Sequence, residues 1–169
     1  MKGMKKVFVL KCTQKLLKDM KVPPSEIHIT SPLSSWHVNM YKLRNRKLII
    51  FVNDYSRLCL IISGIRSAQP AKLFETFRTE LRSYMLAEEI EEHVVNTYLS
   101  SADEIWITKT DSRSVLGTMN EMMIYTEVSY NKSETNEERL RWLNRSIYSP
   151  IDYKEPIHVF KEALQQAYS

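Results

Sequence analysis

Glycine is nearly absent from this chain: Gly3, Gly64 and Gly117 are the only three in 169 residues. Neither a Walker phosphate loop nor a dinucleotide fingerprint can be assembled from them, which argues against a standard nucleotide-binding enzyme. Cysteine is equally scarce. Cys12 and Cys59 are too few for a disulfide framework and read as small buried hydrophobes of a cytoplasmic protein. His28, His37, His93 and His158 are scattered without a His-x-His or H-E-x-x-H spacing, so no metal ligand set is expected. A G-x-S-x-G elbow is missing too. No apolar run approaches the roughly 20 residues of a membrane helix. Val7-Phe8-Val9-Leu10 is also too short for the apolar region of a signal peptide. Neither a membrane partner nor a cofactor is therefore expected.

What is present is an ordinary globular composition, 43% hydrophobic and 26% charged, which excludes wholesale disorder. The length suits one domain over 1–169, with 131–169 as a helical C-terminal extension packed on it. Charge is polarised along the chain. Residues 1–50 hold eleven Lys and Arg against Asp19 and Glu26, whereas residues 51–169 carry a net acidic surplus that includes Glu88, Glu89, Glu91 and Glu92. One basic group is Lys2, Lys5, Lys6, Lys11, Lys15, Lys18 and Lys21; the other is Lys42, Arg44, Arg46 and Lys47. Such polarity either steers a polyanion to one end of the molecule or simply provides two solvated surfaces.

Hydrophobic periodicity predicts a strand over residues 6–10, then a helix from Thr13 to Met20 that Val22-Pro23-Pro24 terminates. Residues 23–34 read as a loop. Trp36, Val38 and Met40 alternate with His37, Asn39 and Tyr41, as a half-buried strand requires. The runs 48–52 and 58–62 complete a meander. Pro70 opens a helix carrying Leu73, Phe77, Leu81 and Tyr84, and a further helix holds Val94, Val95 and Tyr98. Residues 104–108 form another strand, Thr135 and Glu138 have capping-box spacing, and Pro156 starts a terminal helix. The fold class expected is α+β: a mostly antiparallel sheet of four or five strands, helices packed on it, and a helical C-terminal segment.

The segment Lys109 to Glu121 is the most distinctive. Asp111 or Ser112 can cap a helix on which Arg113, Gly117 and Asn120 share one narrow face, with Val115, Met119, Met122 and Met123 turned away. Glycine inside a helix costs about 1 kcal/mol against alanine, so Gly117 implies that something approaches closely there. Lys109 and Arg113 bracket a helix start whose free N–H groups already favour an anion. The ligand-binding residues expected are Lys109, Arg113 and Asn120, with Arg145 as a second cation. Trp36, Trp106 and Trp142 read as packing residues rather than base-stacking platforms.

Several blocks together resemble a known family: Lys11-Cys12-Thr13-Gln14-Lys15-Leu16-Leu17, Trp36 with Asn39, Arg46 through Asn53, Lys109–Glu121, and Leu143-Asn144-Arg145 through Ser149-Pro150. In this order they resemble the bacterial and phage domain of unknown function DUF6933, over nearly the whole chain. Where that family has Asp or Gly ahead of the tryptophan, this chain has Ser34-Ser35. The resemblance implies one domain and no particular activity, and its phage and mobile-element setting implies a host–parasite role.

Three functional readings remain open. The first is a non-catalytic protein that binds nucleic acid or a phosphorylated, anionic ligand. The second is a protein-interaction module (an antitoxin, inhibitor or homodimer) using sheet edges or the acidic helix near Glu88. The third is a metal-dependent nuclease with Asp54, Asp111 or Glu121 among its acids.

Overall fold

The computed structural model describes residues 7–26, 31–65, 69–102, 104–132 and 134–168. Gly3, Lys2, Lys5, Lys6 and His28 lie outside the described residues. Five strands, β1 (Val7–Cys12), β2 (Ser35–Leu43), β3 (Arg46–Asn53), β4 (Cys59–Ser63) and β5 (Glu104–Lys109), form one sheet in the order β4-β3-β2-β1-β5. Among the described residues six α-helices accompany it: α1 (Gln14–Met20), α2 (Pro70–Ala87), α3 (Glu92–Ser100), α4 (Arg113–Ser129), α5 (Asn136–Leu143) and α6 (Pro156–Tyr168).

The fold is α+β, but the sheet is mixed rather than mostly antiparallel. β2, β3 and β4 form the expected antiparallel meander. β1, however, lies parallel to both β2 and β5. The reason is connectivity: α1 and the segment after it carry the chain back to the start of β2, and α2 and α3 return it to the start of β5. Parallel neighbours need long connections of this kind. As a result, β1 and β5 end together, and the loops entering α1 and α4 leave from the same edge.

The two sheet faces are chemically different. One presents Phe8, Trp36 and Phe51 to the aromatic helices α2, α3 and α6. Phe51 stacks on Phe77 at 4.5 Å between ring centroids, Trp36 meets Phe77 edge-on at 5.1 Å, and Tyr98 meets Phe160 at 5.5 Å. Trp36 donates to the Tyr98 hydroxyl, which in turn donates to the Leu33 carbonyl. Phe160 therefore brings α6 into the same aromatic cluster. The opposite face carries Lys11, His37, Asn39 and Tyr41, and α4 lies over it, with Val115, Met119, Met122 and Met123 buried. Cys12 and Cys59 are both buried, as expected of small hydrophobes. No helix among the described residues is long and apolar enough to cross a membrane.

The free edge of β4 is closed by side chains. The Asn144 amide accepts from the Cys59 N–H at 2.7 Å and donates to the Cys59 carbonyl at 3.0 Å, imitating a neighbouring strand. Two residues along the strand, the Asn136 amide donates to the Ile61 carbonyl. Eight residues apart on the α5 segment thus match two residues on the strand, and an edge that would invite pairing is covered. Asn144 also donates to the Tyr84 hydroxyl, which donates to Glu88. Replacing Asn144 by alanine strands two buried backbone groups. We expect Asn144→Ala to lower unfolding free energy by about 2–4 kcal/mol in urea titration.

Candidate functional site

β1 reads Val-Phe-Val-Leu-Lys-Cys, so a lysine stands next to last in an otherwise apolar strand. The register places Lys11 beside His37 on β2 and Thr108 on β5. His37 lies beside Val52 on β3, and Asp54 follows two residues later, on the same face. Burying Lys11 in such a place requires anionic partners. It has two: its ammonium lies 2.8 Å from Asp54 Oδ2 and 3.0 Å from Asp111 Oδ2.

His37, with no solvent exposure, bridges the same two residues. Its Nδ1–H donates to Asp54 Oδ1 at 2.7 Å, leaving Nε2 to accept the backbone N–H of Asp111 at 3.3 Å. Asp111 thereby ties the loop entering α4 to the sheet and leaves capping to Ser112, whose hydroxyl accepts from Val115 N–H.

Asp54 and Arg57 are positioned by the β3–β4 turn, which is built on buried Asn53. Its side-chain oxygen accepts from Tyr55 N–H, Ser56 N–H and the Ser56 hydroxyl, while its amide donates to the Leu33 and Ser35 carbonyls. Arg57 ends the turn in the left-handed region, φ 64°, where a non-glycine residue is held against a local penalty of order 1 kcal/mol. Its guanidinium donates to the Asp54 carbonyl and, at 2.8 Å, to the Ser114 hydroxyl in the first turn of α4. Its Nε–H is buried without a partner among the described residues.

The charge states follow from these contacts. Burial alone would raise the Asp54 carboxyl, but the bonds from His37 and Lys11 outweigh it and hold it below the ordinary carboxylate value. Burial likewise opposes the Lys11 charge, and the two aspartates more than restore it, so its pKa is raised. With Arg57 beside Asp54, two cations match the two carboxylates, and the cluster is neutralised from within. His37, Asp54 and Asp111 each offer a ligand atom within 4.8 Å of the others, the spacing a metal ion would need. The Lys11 ammonium already occupies the cationic place between the two carboxylates, and a metal would have to displace it. Glu121 stands apart from this cluster, exposed on α4.

Of the four residues the sequence nominates, Lys109 and Arg113 flank this loop. Both are exposed, and neither side chain forms a hydrogen bond or ion pair with a described residue. Asn120 lies two turns further along the same face, and its side-chain oxygen accepts from the Tyr41 hydroxyl at 3.2 Å. Arg145 is not joined to them. It forks onto the buried Glu88 carboxylate at 2.6 and 2.7 Å, a structural pair that backs the Asn144 contact. Sequence reasoning missed Lys11, His37 and Arg57; the lysine within an apolar strand was the available signal. Gly117 also differs from expectation. A methyl group built on it would meet nothing within 4 Å, so no described part of this chain approaches it.

The fold and site define a small α+β protein whose polar centre lies where two parallel strands end and a capped helix begins. A family model of the domain of unknown function DUF6933 matches residues 9–159, and the chain belongs to that family. Among curated proteins none matches.

Two measurements test this account of the site. Asp54 has a depressed folded pKa, so its contribution is present above its ordinary value of 3.8 and is lost as pH falls through the lower folded value. Asp54→Asn should destabilise the neutral protein by about 3 kcal/mol, and the deficit should shrink below pH 3.8 in urea unfolding across pH. Gly117→Ala, with open space to receive the methyl group, should raise the unfolding free energy of dilute protein by about 1 kcal/mol.

Proposed function

We propose that this protein is a non-catalytic binding module for a phosphate-bearing polyanion, nucleic acid being the ligand that best suits its charge distribution. The observation that carries this reading is the contrast at the start of α4. The carboxylates of Asp54 and Asp111 are matched by the two cations Lys11 and Arg57, whereas Lys109 and Arg113 stand outside that balance with exposed, unpaired side chains among the described residues. The helix adds its own free N–H groups and positive dipole end. Asn120, about 10 Å further along the helix, keeps its amide N–H groups available after accepting from Tyr41. Lys15, Lys18 and Lys21 on and after α1, and Lys42, Arg44 and Arg46 at the β2–β3 turn, are exposed and supply the steering field. The family resemblance extends the proposal to a phage or mobile-element context.

A nuclease reading is less well supported, because Asp54 and Asp111 are engaged by Lys11 and His37. A protein-interaction reading draws on a separate observation, the exposed apolar side chains Ile124, Val128 and Trp142.

Fluorescence anisotropy with labelled single-stranded and duplex oligonucleotides tests the proposal. Affinity should fall steeply as salt rises, and Arg113→Ala should weaken it by about 1–3 kcal/mol. Arg145→Ala should leave it within error once folding is verified. Salt-insensitive binding, or an Arg113→Ala variant that binds normally, overturns the reading.

A further inference from the structure

The exposed face of α4 extends past Arg113 and Asn120 into Gly117, Ile124 and Glu127, residues that anion binding does not use. Arg113, Gly117, Asn120, Ile124 and Glu127 recur in steps of four and three, so they fall in one stripe about 80° wide on the helix surface. All five are exposed, and Val128 flanks them. Ile124 is 66% and Val128 48% exposed, and Gly117 has open space above it. A large apolar side chain and a helix-weakening glycine, one above the other on a solvated face, do nothing for the isolated fold.

We propose that this stripe is a self-association surface, on which two copies of the chain pack their α4 helices antiparallel about a two-fold axis beside Asn120. Facing positions are then mirror images about Asn120 and Glu121. The Arg113 guanidinium meets the partner's Glu127 carboxylate, and Ile124 enters the space above the partner's Gly117. Asn120 meets its own counterpart, and every contact occurs twice, as an isologous interface requires. The charge pattern selects this arrangement. A parallel pairing would set Arg113 against Arg113 and Glu127 against Glu127, while the antiparallel one matches opposite charges and opposes the helix dipoles. Asn120 accepts from Tyr41 and has its amide N–H groups left for its counterpart, the kind of polar pair that fixes register in helix seams.

The apolar part of the surface continues onto α5. Trp142 is 52% exposed and stacks flat on Tyr125, the chain neighbour of Ile124, with ring centroids 3.8 Å apart. One helix face with this extension is smaller than the roughly 800 Å² per partner of a standard interface. The dimer is therefore reversible and concentration-dependent.

Sedimentation analysis of the full chain, in buffer without polyanions, tests the proposal. From low to high micromolar concentration the mass should rise reversibly from 19.9 kDa toward twice that value. Ile124→Asp and Gly117→Gln, both at exposed positions that keep the helix, should weaken association by about tenfold or more. Arg113→Glu and Glu127→Arg should each weaken it, and the two together should recover it. Arg113 serves both this surface and the anion reading, so Lys109→Ala separates them: it lowers oligonucleotide binding and leaves self-association unchanged. A chain that stays monomeric throughout, a dimer indifferent to Ile124→Asp and Gly117→Gln, or a charge-swapped double variant that fails to recover overturns the proposal.

Discussion

The Asp54 carboxylate is the tie on which the site end of the molecule depends. One oxygen takes the Lys11 ammonium from near the end of β1 and the other takes His37 Nδ1–H from β2. Its backbone carbonyl takes Arg57, whose second arm reaches α4 through Ser114. Three strands and the first turn of a helix are therefore referred to a single residue in a β-turn. The arrangement persists because each buried charge has an opposite within bonding distance; removing one member would leave another uncompensated in a poorly hydrated place.

Neutrality below the loop gives meaning to the charges above it. Had Lys109 or Arg113 been the partner of Asp54 or Asp111, the start of α4 would be electrostatically spent. Instead Lys11, rising from beneath on β1, satisfies both aspartates and leaves the outer cations to solvent. A comparable division occurs at the far edge of the sheet. There Arg145 is consumed by Glu88, and the neighbouring Asn144 closes β4. Two arginines of similar appearance in the sequence thus have unlike roles, one structural and one unengaged. The outer face of α4 follows the same logic, since its glycine, its isoleucine and its two opposite charges, Arg113 and Glu127, complete nothing among the described residues.

Much of the local structure was legible beforehand. The β2–β3–β4 meander followed from alternation and apolar runs, the Thr135–Glu138 capping box is formed, and the methionines of α4 are buried. These features depend on residues near one another in sequence. The mixed sheet was less legible, because whether β1 joins as a parallel centre strand depends on how long connections fold back. His37 was read as an ordinary member of an alternating strand. It becomes a buried bridge only when Asp54, seventeen residues later, and Asp111, seventy-four residues later, arrive beside it.

The sequence by itself determined the α+β class, the element types, the start of α4, and the shared face of Arg113, Gly117 and Asn120. Each of these follows from helix or strand period and from short-range backbone chemistry. Only the tertiary structure decided which charges are spent and which remain. It brought Lys11 to Asp54 and Asp111, took Arg145 away to Glu88, and left the space above Gly117 open. Ion pairing falls off within a few ångströms, so it is set by where distant segments meet, and no local pattern encodes that meeting.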